Sequence, residues 1–359
     1  MLKKAAALLL VGAAVGFSGS CGLTGSSNSS NRYLYAAIPA SNEIVAYRED
    51  PNSGVLTQLA GSPISVGPAV QSIVVHPSKK FLYAANSGES DVSLFTISSG
   101  GGLQEVTPRT VVGTAPTLLA MDSAGTFLFV GNAGSNDISI FSISSDTGLL
   151  TQVGTNLPIG LTPLTMKLSP SGNYLYVTGQ QSQGFVEVFT VNAGAIAPLQ
   201  PNAVFLTGNG PYGLEVSSSG GFLYTANKLD NTLSEFIVNA DGTLSALSGS
   251  PVGGNIAGPD ALLIDKSGTY LYVANQTSTN MAGYSIGSDG TIALLTTSPF
   301  GTGSQPSIIA SDPNGKYLFV GNQSSPSIQS FSLDTSSGTL TSVQTYSVPG
   351  TPTSIAVTP

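Results

Sequence analysis

One pattern restricts this chain more than any other: an aromatic–Leu–aromatic triplet that returns seven times. The copies are Tyr33-Leu34-Tyr35, Phe81-Leu82-Tyr83, Phe127-Leu128-Phe129, Tyr174-Leu175-Tyr176, Phe222-Leu223-Tyr224, Tyr270-Leu271-Tyr272 and Tyr317-Leu318-Phe319, starting 46 to 48 residues apart. Such a period belongs to folds that stack one small unit, each burying its apolar face against its neighbours. Every copy carries three companion runs. One ends in a fixed aromatic (Tyr47, Phe95, Phe141, Phe189, Phe236, Tyr284, Phe331). The next is led by a glycine (Gly54, Gly101, Gly148, Gly194, Gly242, Gly290, Gly338), and a further apolar run precedes the triplet, such as TLLAMD at 117–122.

These runs are short, alternate or are continuously apolar, are rich in Val, Ile, Leu, Tyr and Phe, and are bounded by turn residues. That is strand chemistry, and no helical period appears after the first thirty residues. Four strands per repeat, seven times, predicts an all-β, seven-bladed β-propeller with four antiparallel strands per blade. The first triplet has no inner strand before it, and Thr353–Pro359 reads as an inner strand with no triplet after it. The ring is therefore expected to close in blade 1 through the C-terminal strand, which removes an open sheet edge. Residues 32–359 are expected to form one domain.

Composition narrows function by exclusion. Charged residues make up 8% of the 359, against roughly a quarter in an ordinary soluble domain. Eleven basic side chains face nineteen acidic ones, so the basic footprint of a nucleic-acid binder is missing. One His and one Cys cannot build a zinc site from those ligands, and a disulfide scaffold needs paired Cys. The carboxylates are spread one per turn without metal-ligand spacing, so neither metal nor cofactor is expected. No Ser has a His partner, so a Ser–His–acid site is not expected.

Lys3 and Lys4 followed by the thirteen apolar residues 5–17 have the charge and length of a signal peptide. Small residues then lead into Cys21, as in a bacterial lipobox, although Ser18 stands where an apolar residue is usual. The reading is a signal peptide over 1–20, lipid attachment at Cys21, and a Gly/Ser/Asn tether through 31, with simple secretion as the alternative. It implies a protein of the periplasm or outer envelope that meets the membrane through its anchor alone; a monomer is expected.

The repeat, with its YLYVAN-like, VSLF-like and GTLTSV-like runs, resembles the lactonase-type seven-bladed propellers, which include 6-phosphogluconolactonase-like and carboxymuconate-cyclase-like proteins. It is also similar to YVTN-repeat propellers. The resemblance covers residues 32–359. It implies an axial funnel as the site, and lactone hydrolysis by His, Arg and carboxylate groups there.

Strand direction sorts residues onto the two faces. The residue after the Pro (or Val70) that starts each inner strand is expected to face the funnel: Gln71, Thr117, Leu164, Tyr212, Asp260, Ser307 and Thr353. That ring holds one carboxylate, one phenol and neither His nor Arg. Tyr212, Lys228 and Asp260 are expected to meet on neighbouring blades and bind a polar ligand, with Gln71 on the same ring. Arg109, placed in a loop leading to an inner strand, is the Arg expected to reach in. His76 occupies the slot held by Asp122, Ser169, Ser217, Asp265 and Asp312, so it reads as a turn residue on the opposite face, where Asp is an acceptable replacement. Asn86, Asn132, Asn227, Asn275 and Asn322 read as repeated turn supports. The leading expectation is a non-catalytic envelope propeller that binds a protein, glycan or small ligand; the alternative is a lactone hydrolase.

Overall fold

The computed structural model describes residues 31–199, 204–254 and 256–359; the signal peptide expected over 1–20 and the lipid site expected at Cys21 lie outside them. Among these residues there are seven antiparallel sheets and no helix. The inner strands of blades 1 to 7 are Ser354–Val357, Val70–Val75, Pro116–Met121, Thr165–Leu168, Pro211–Val216, Pro259–Ile264 and Pro306–Ser311. The strands then run outward in chain order. In blade 5 they are Phe222–Asn227, Thr232–Val238 and Leu244–Ala246. The outer strand is continuous in blades 2 and 7 (Leu103–Val111 and Thr339–Ser347) and shorter or broken elsewhere.

Closure follows the expected route. Strand Ser354–Val357 pairs antiparallel with Arg32–Ile38, with Leu34 opposite Val357 and Ala37 opposite Ser354. The Tyr33 amide also donates to Thr358 Oγ1 at 3.0 Å.

Each triplet does two jobs at a blade interface. Its third residue is completely buried in all seven blades. The Tyr35, Tyr83, Tyr224 and Tyr272 hydroxyls donate, at 2.6–2.8 Å, to the carbonyls of Gly101, Gly148, Gly290 and Gly338 in the next blade. Burial pushes these phenols up, which keeps them protonated donors. The ring of the first residue of the triplet packs against the same glycine. A Cβ on Gly54, Gly101, Gly148, Gly194, Gly242, Gly290 or Gly338 would come within 2.3–2.7 Å of the neighbouring Tyr or Phe ring. All seven glycines have φ between +68° and +86°. The repeat's glycine is thus required by backbone conformation and by contact alike.

On the face bearing the turns from inner to second strand, the ring-closing seam is ionic. Arg32 Nη1 lies 2.6 Å from Asp312 Oδ2 of blade 7 and 3.5 Å from Glu49 Oε1. All three side chains are buried, so one guanidinium serves two carboxylates.

Gly101→Ala is expected to cost about 2–4 kcal/mol, combining a strained positive φ with overpacking on Tyr33. Gly249→Ala, also at positive φ but in open space, is expected to cost about 1 kcal/mol. Equal losses in denaturant unfolding would contradict the contact. At the seam, burial and then the Asp312 charge push Glu49 from 4.5 up to about 7, against the opposing pull of Arg32. The folded state therefore holds this proton to higher pH than the unfolded chain, and stability falls as pH rises from 4.5 through about 7. At about 1.4 kcal/mol per pKa unit the full effect is on the order of 3 kcal/mol. Glu49→Gln is expected to melt with wild type at pH 5 and above it at pH 8; an equal difference at both pH values would contradict the assignment.

Candidate functional site

The inner strands surround an axial channel of about 480 Å³. Its mouth is shaped by a backbone device shared by five blades. Ala69, Ala115, Gly210, Gly258 and Gln305, one residue before the inner strand, all have positive φ, between 48° and 67°. In these blades the ladder then skips one residue: Gln71, Thr117, Tyr212, Asp260 and Ser307 have no partner on the second strand. A bulge of this kind re-aims its extra side chain. Five of the seven residues of the ring read from the sequence are thus bulge residues; Leu164 and Thr353 instead donate their amides to the Thr178 and Ala37 carbonyls of the second strand.

Three predicted residues come together there. Lys228 Nζ donates to Asp260 Oδ1 at 2.7 Å and stands 4.7 Å from the centre of the Tyr212 ring. The turn that carries Lys228 is fixed by its own amide, which donates to the Gly210 carbonyl at 2.7 Å. Burial raises the Asp260 carboxyl, and the Lys228 hydrogen bond and charge oppose that shift. Tyr212 remains 41% exposed, its ring face meeting the ammonium.

Two further members of the cluster were missed in the sequence. Gln276 Nε2 donates to Asp260 Oδ2 at 3.4 Å and to Gln323 Oε1 at 3.0 Å. Both glutamines directly follow a repeated Asn, as Lys228 does. That slot reads Pro39, Ser87, Ala133, Gln180, Lys228, Gln276, Gln323 around the ring, so blades 4 to 7 present long polar side chains and blades 1 to 3 do not. Also missed was an ion pair deeper in the channel, Lys167 Nζ to Glu215 Oε2 at 2.9 Å. Glu215 lies three residues, about 10 Å, along the strand from Tyr212. Its signal was available: the same slot is Val74, Ala120, Leu263, Ala310 and Ala356 elsewhere.

Two predicted residues stay outside the cluster. Gln71 lies on blade 2 and turns back to donate to the Ala69 carbonyl at 3.3 Å. Arg109 corrects an expectation. It lies in the outer strand Leu103–Val111, not in a loop, and three carboxylates hold it there: Glu105 at 2.7 Å, Glu89 at 2.7 Å and Asp91 at 3.9 Å.

The repeated asparagines are supports. Asn86, Asn132, Asn227 and Asn322 each donate to a residue five further on, across the following turn, at 2.6–3.1 Å, and Asn275 does so to Asn280 at 2.7 Å. His76 is a buried turn residue. The Ser78 amide donates to its Nδ1 at 3.1 Å, so the proton sits on Nε2, which donates to the Gly125 carbonyl of blade 3 at 2.8 Å. That second bond crosses between blades and is more than the turn role read from the repeat.

A family model described as "Lactonase, 7-bladed beta-propeller" matches residues 68–162, 194–301 and 280–357. Among solved structures, the chain is similar to a Bacteroides uniformis protein provisionally named a 6-phosphogluconolactonase, at 21% identity and a TM-score of 0.79, covering 91% of this chain and 99% of that one. It is also similar to the Pseudomonas aeruginosa periplasmic gluconolactonase PpgL, at 20% identity and a TM-score of 0.75, covering 92% and 99%. At these identities the likeness establishes the fold. No curated protein matches the sequence.

The inter-blade bond changes what His76→Asp should do. An Asp copies the turn of the other blades but cannot donate to the Gly125 carbonyl, and an unpaired buried acceptor costs about 1–3 kcal/mol. The variant is expected to unfold at lower denaturant than wild type; an unchanged midpoint would show that the bond contributes nothing.

Proposed function

This chain belongs to the lactonase family of seven-bladed β-propellers, and from that premise we propose that it is an exported, lipid-anchored binding propeller of the cell envelope. It holds a small polyhydroxylated ligand, a sugar or sugar lactone, at the channel mouth without hydrolysing it. The observation that carries this reading is the cluster on blades 5 to 7. An exposed phenol ring, two carboxamides and a Lys–Asp pair already neutralised by each other suit hydroxyl groups of a neutral ligand. Among the described residues, neither His nor Arg lines the channel: His76 and Arg32 are engaged on the opposite face, and Arg109 is held on an outer strand. The export and anchor rest on residues 1–31, with Cys21 as the lipid site; Cys21→Ser is expected to move the protein from membranes to the soluble fraction, since stable anchoring needs its acyl chains.

A second reading, lactone hydrolysis, is favoured by one observation beside family membership. Asp260 is a carboxyl raised by burial, in contact with a Lys ammonium. In that reading Asp260 takes a proton from water and Lys228 stabilises the developing oxyanion.

One assay separates the two. Purified protein is titrated with monosaccharides and aldonolactones by calorimetry while lactone opening is followed. The binding reading expects saturable heat and no opening above the buffer rate. It also expects Asp260→Ala and Tyr212→Ala to bind at least tenfold more weakly at an unchanged melting temperature. Turnover that falls roughly 10²–10⁴-fold in Asp260→Asn would establish the hydrolase instead.

A further inference from the structure

Blade 4 breaks the repeat at one place and with three coordinated changes. In blades 2, 3 and 5 the end of the second strand carries an Asn that donates to a Ser on the third strand: Asn86 to Ser93 at 2.9 Å, Asn132 to Ser139 at 2.8 Å, Asn227 to Ser234 at 2.8 Å. A glycine in the connection from the preceding blade packs on that Asn, with a Cβ on Gly67, Gly113 or Gly208 coming within 2.3–2.7 Å of its amide. In blade 4 the Asn is Gly179, the Ser is Glu187, and the connection places Leu161 against Gly179, where a Cβ would lie 2.3 Å from Leu161 Cδ1. Blade 1 also departs, but with apolar Ile38 and Val45. Blade 4 alone puts a charge in the third-strand slot.

A cavity open to the surface lies beside these changes. It holds about 480 Å³ between the Ile159–Leu161 connection, the turn Gln181–Gln183 and the third and outer strands of blade 4. That is within the range of small-molecule sites. Its walls are apolar at Leu161, Phe185 and Leu206, and Glu187 supplies its one charged group. Among the described residues no hydrogen bond or ion pair engages the Glu187 carboxylate. Burial raises it. Directly opposite Glu187 in the ladder stands Val204, and opposite Phe185 stands Leu206; both are exposed on the outer strand.

We infer that this cavity is a second ligand site, separate from the channel, that takes a small organic ammonium with an apolar body. A half-buried carboxylate that no described cation engages attracts a cation, and apolar walls beside it favour one that carries hydrocarbon rather than a hydrated metal ion. Phe185 adds an aromatic surface to which an ammonium is drawn.

Benzylammonium is the probe, with benzyl alcohol as its neutral counterpart and benzoate as its anionic one. Binding is measured by calorimetry on the full chain. Wild type is expected to bind benzylammonium saturably, at least tenfold more tightly than benzyl alcohol, and to show no binding of benzoate. Glu187→Gln keeps the shape, removes the charge and is expected to lose at least tenfold in affinity while melting no lower than wild type. Val204→Lys places an ammonium across the ladder from Glu187 on an exposed position and is expected to abolish probe binding by occupying the carboxylate. Absence of saturable benzylammonium binding to wild type, equal affinity for the neutral probe, or full affinity in Glu187→Gln or Val204→Lys would each overturn the inference.

Discussion

An aromatic ring pressed on a glycine holds this molecule together. The contact recurs at all seven blade interfaces, from Tyr33 on Gly101 round to Tyr317 on Gly54. It sets how closely a second strand approaches the outer turn of the next blade. Each interface is specified by a shape that a side chain on the glycine would destroy, and in four of them by a phenol that must find one carbonyl. Nonpolar packing alone would let blades slide past one another; the buried hydroxyl fixes their register.

With the blades fixed in this way, variation is free to collect at the channel mouth. The positive-φ residue and the bulge after it are the same in five blades, whatever side chain the bulge carries. The scaffold therefore presents Gln71, Thr117, Tyr212, Asp260 and Ser307 in equivalent attitudes. The chemistry is one-sided because the neighbouring slot is long and polar only on blades 4 to 7. A ring with sevenfold geometry thus acquires a site with none.

What was legible in the sequence was what the repeat states seven times. Strand order, closure by the C-terminal strand and the meeting of Lys228 with Asp260 all follow from chain direction applied to aligned positions. The misses have a common physical origin. Arg109 was placed in a loop because the outer strand of blade 2 continues to Val111, while most outer strands end early or break. The Nε2 bond of His76 reaches another blade, and alignment within one repeat does not show such reach. Gln276, Lys167 and Glu215 were left unweighed, although the slot of Gln276 also holds Gln180, Lys228 and Gln323, and the inner-strand slot shared by Lys167 and Glu215 is small or apolar in the other blades. The cavity in blade 4 needed three changes to be seen at once, two of them losses of a side chain or a bond rather than a gain.

The closing strand has a consequence in time as well as in space. Tyr33 and Thr358, 325 residues apart in sequence, are bonded neighbours in one sheet. During synthesis the second strand of blade 1 leaves the ribosome early and waits for almost the whole domain before its inner partner exists. Blades 2 to 7 are contiguous in sequence and can form as they emerge, whereas blade 1 stands with an unsatisfied inner edge throughout. The nascent protein therefore carries an exposed pairing template for as long as translation of the domain lasts, and a ribosome paused before residue 354 leaves it open to other chains.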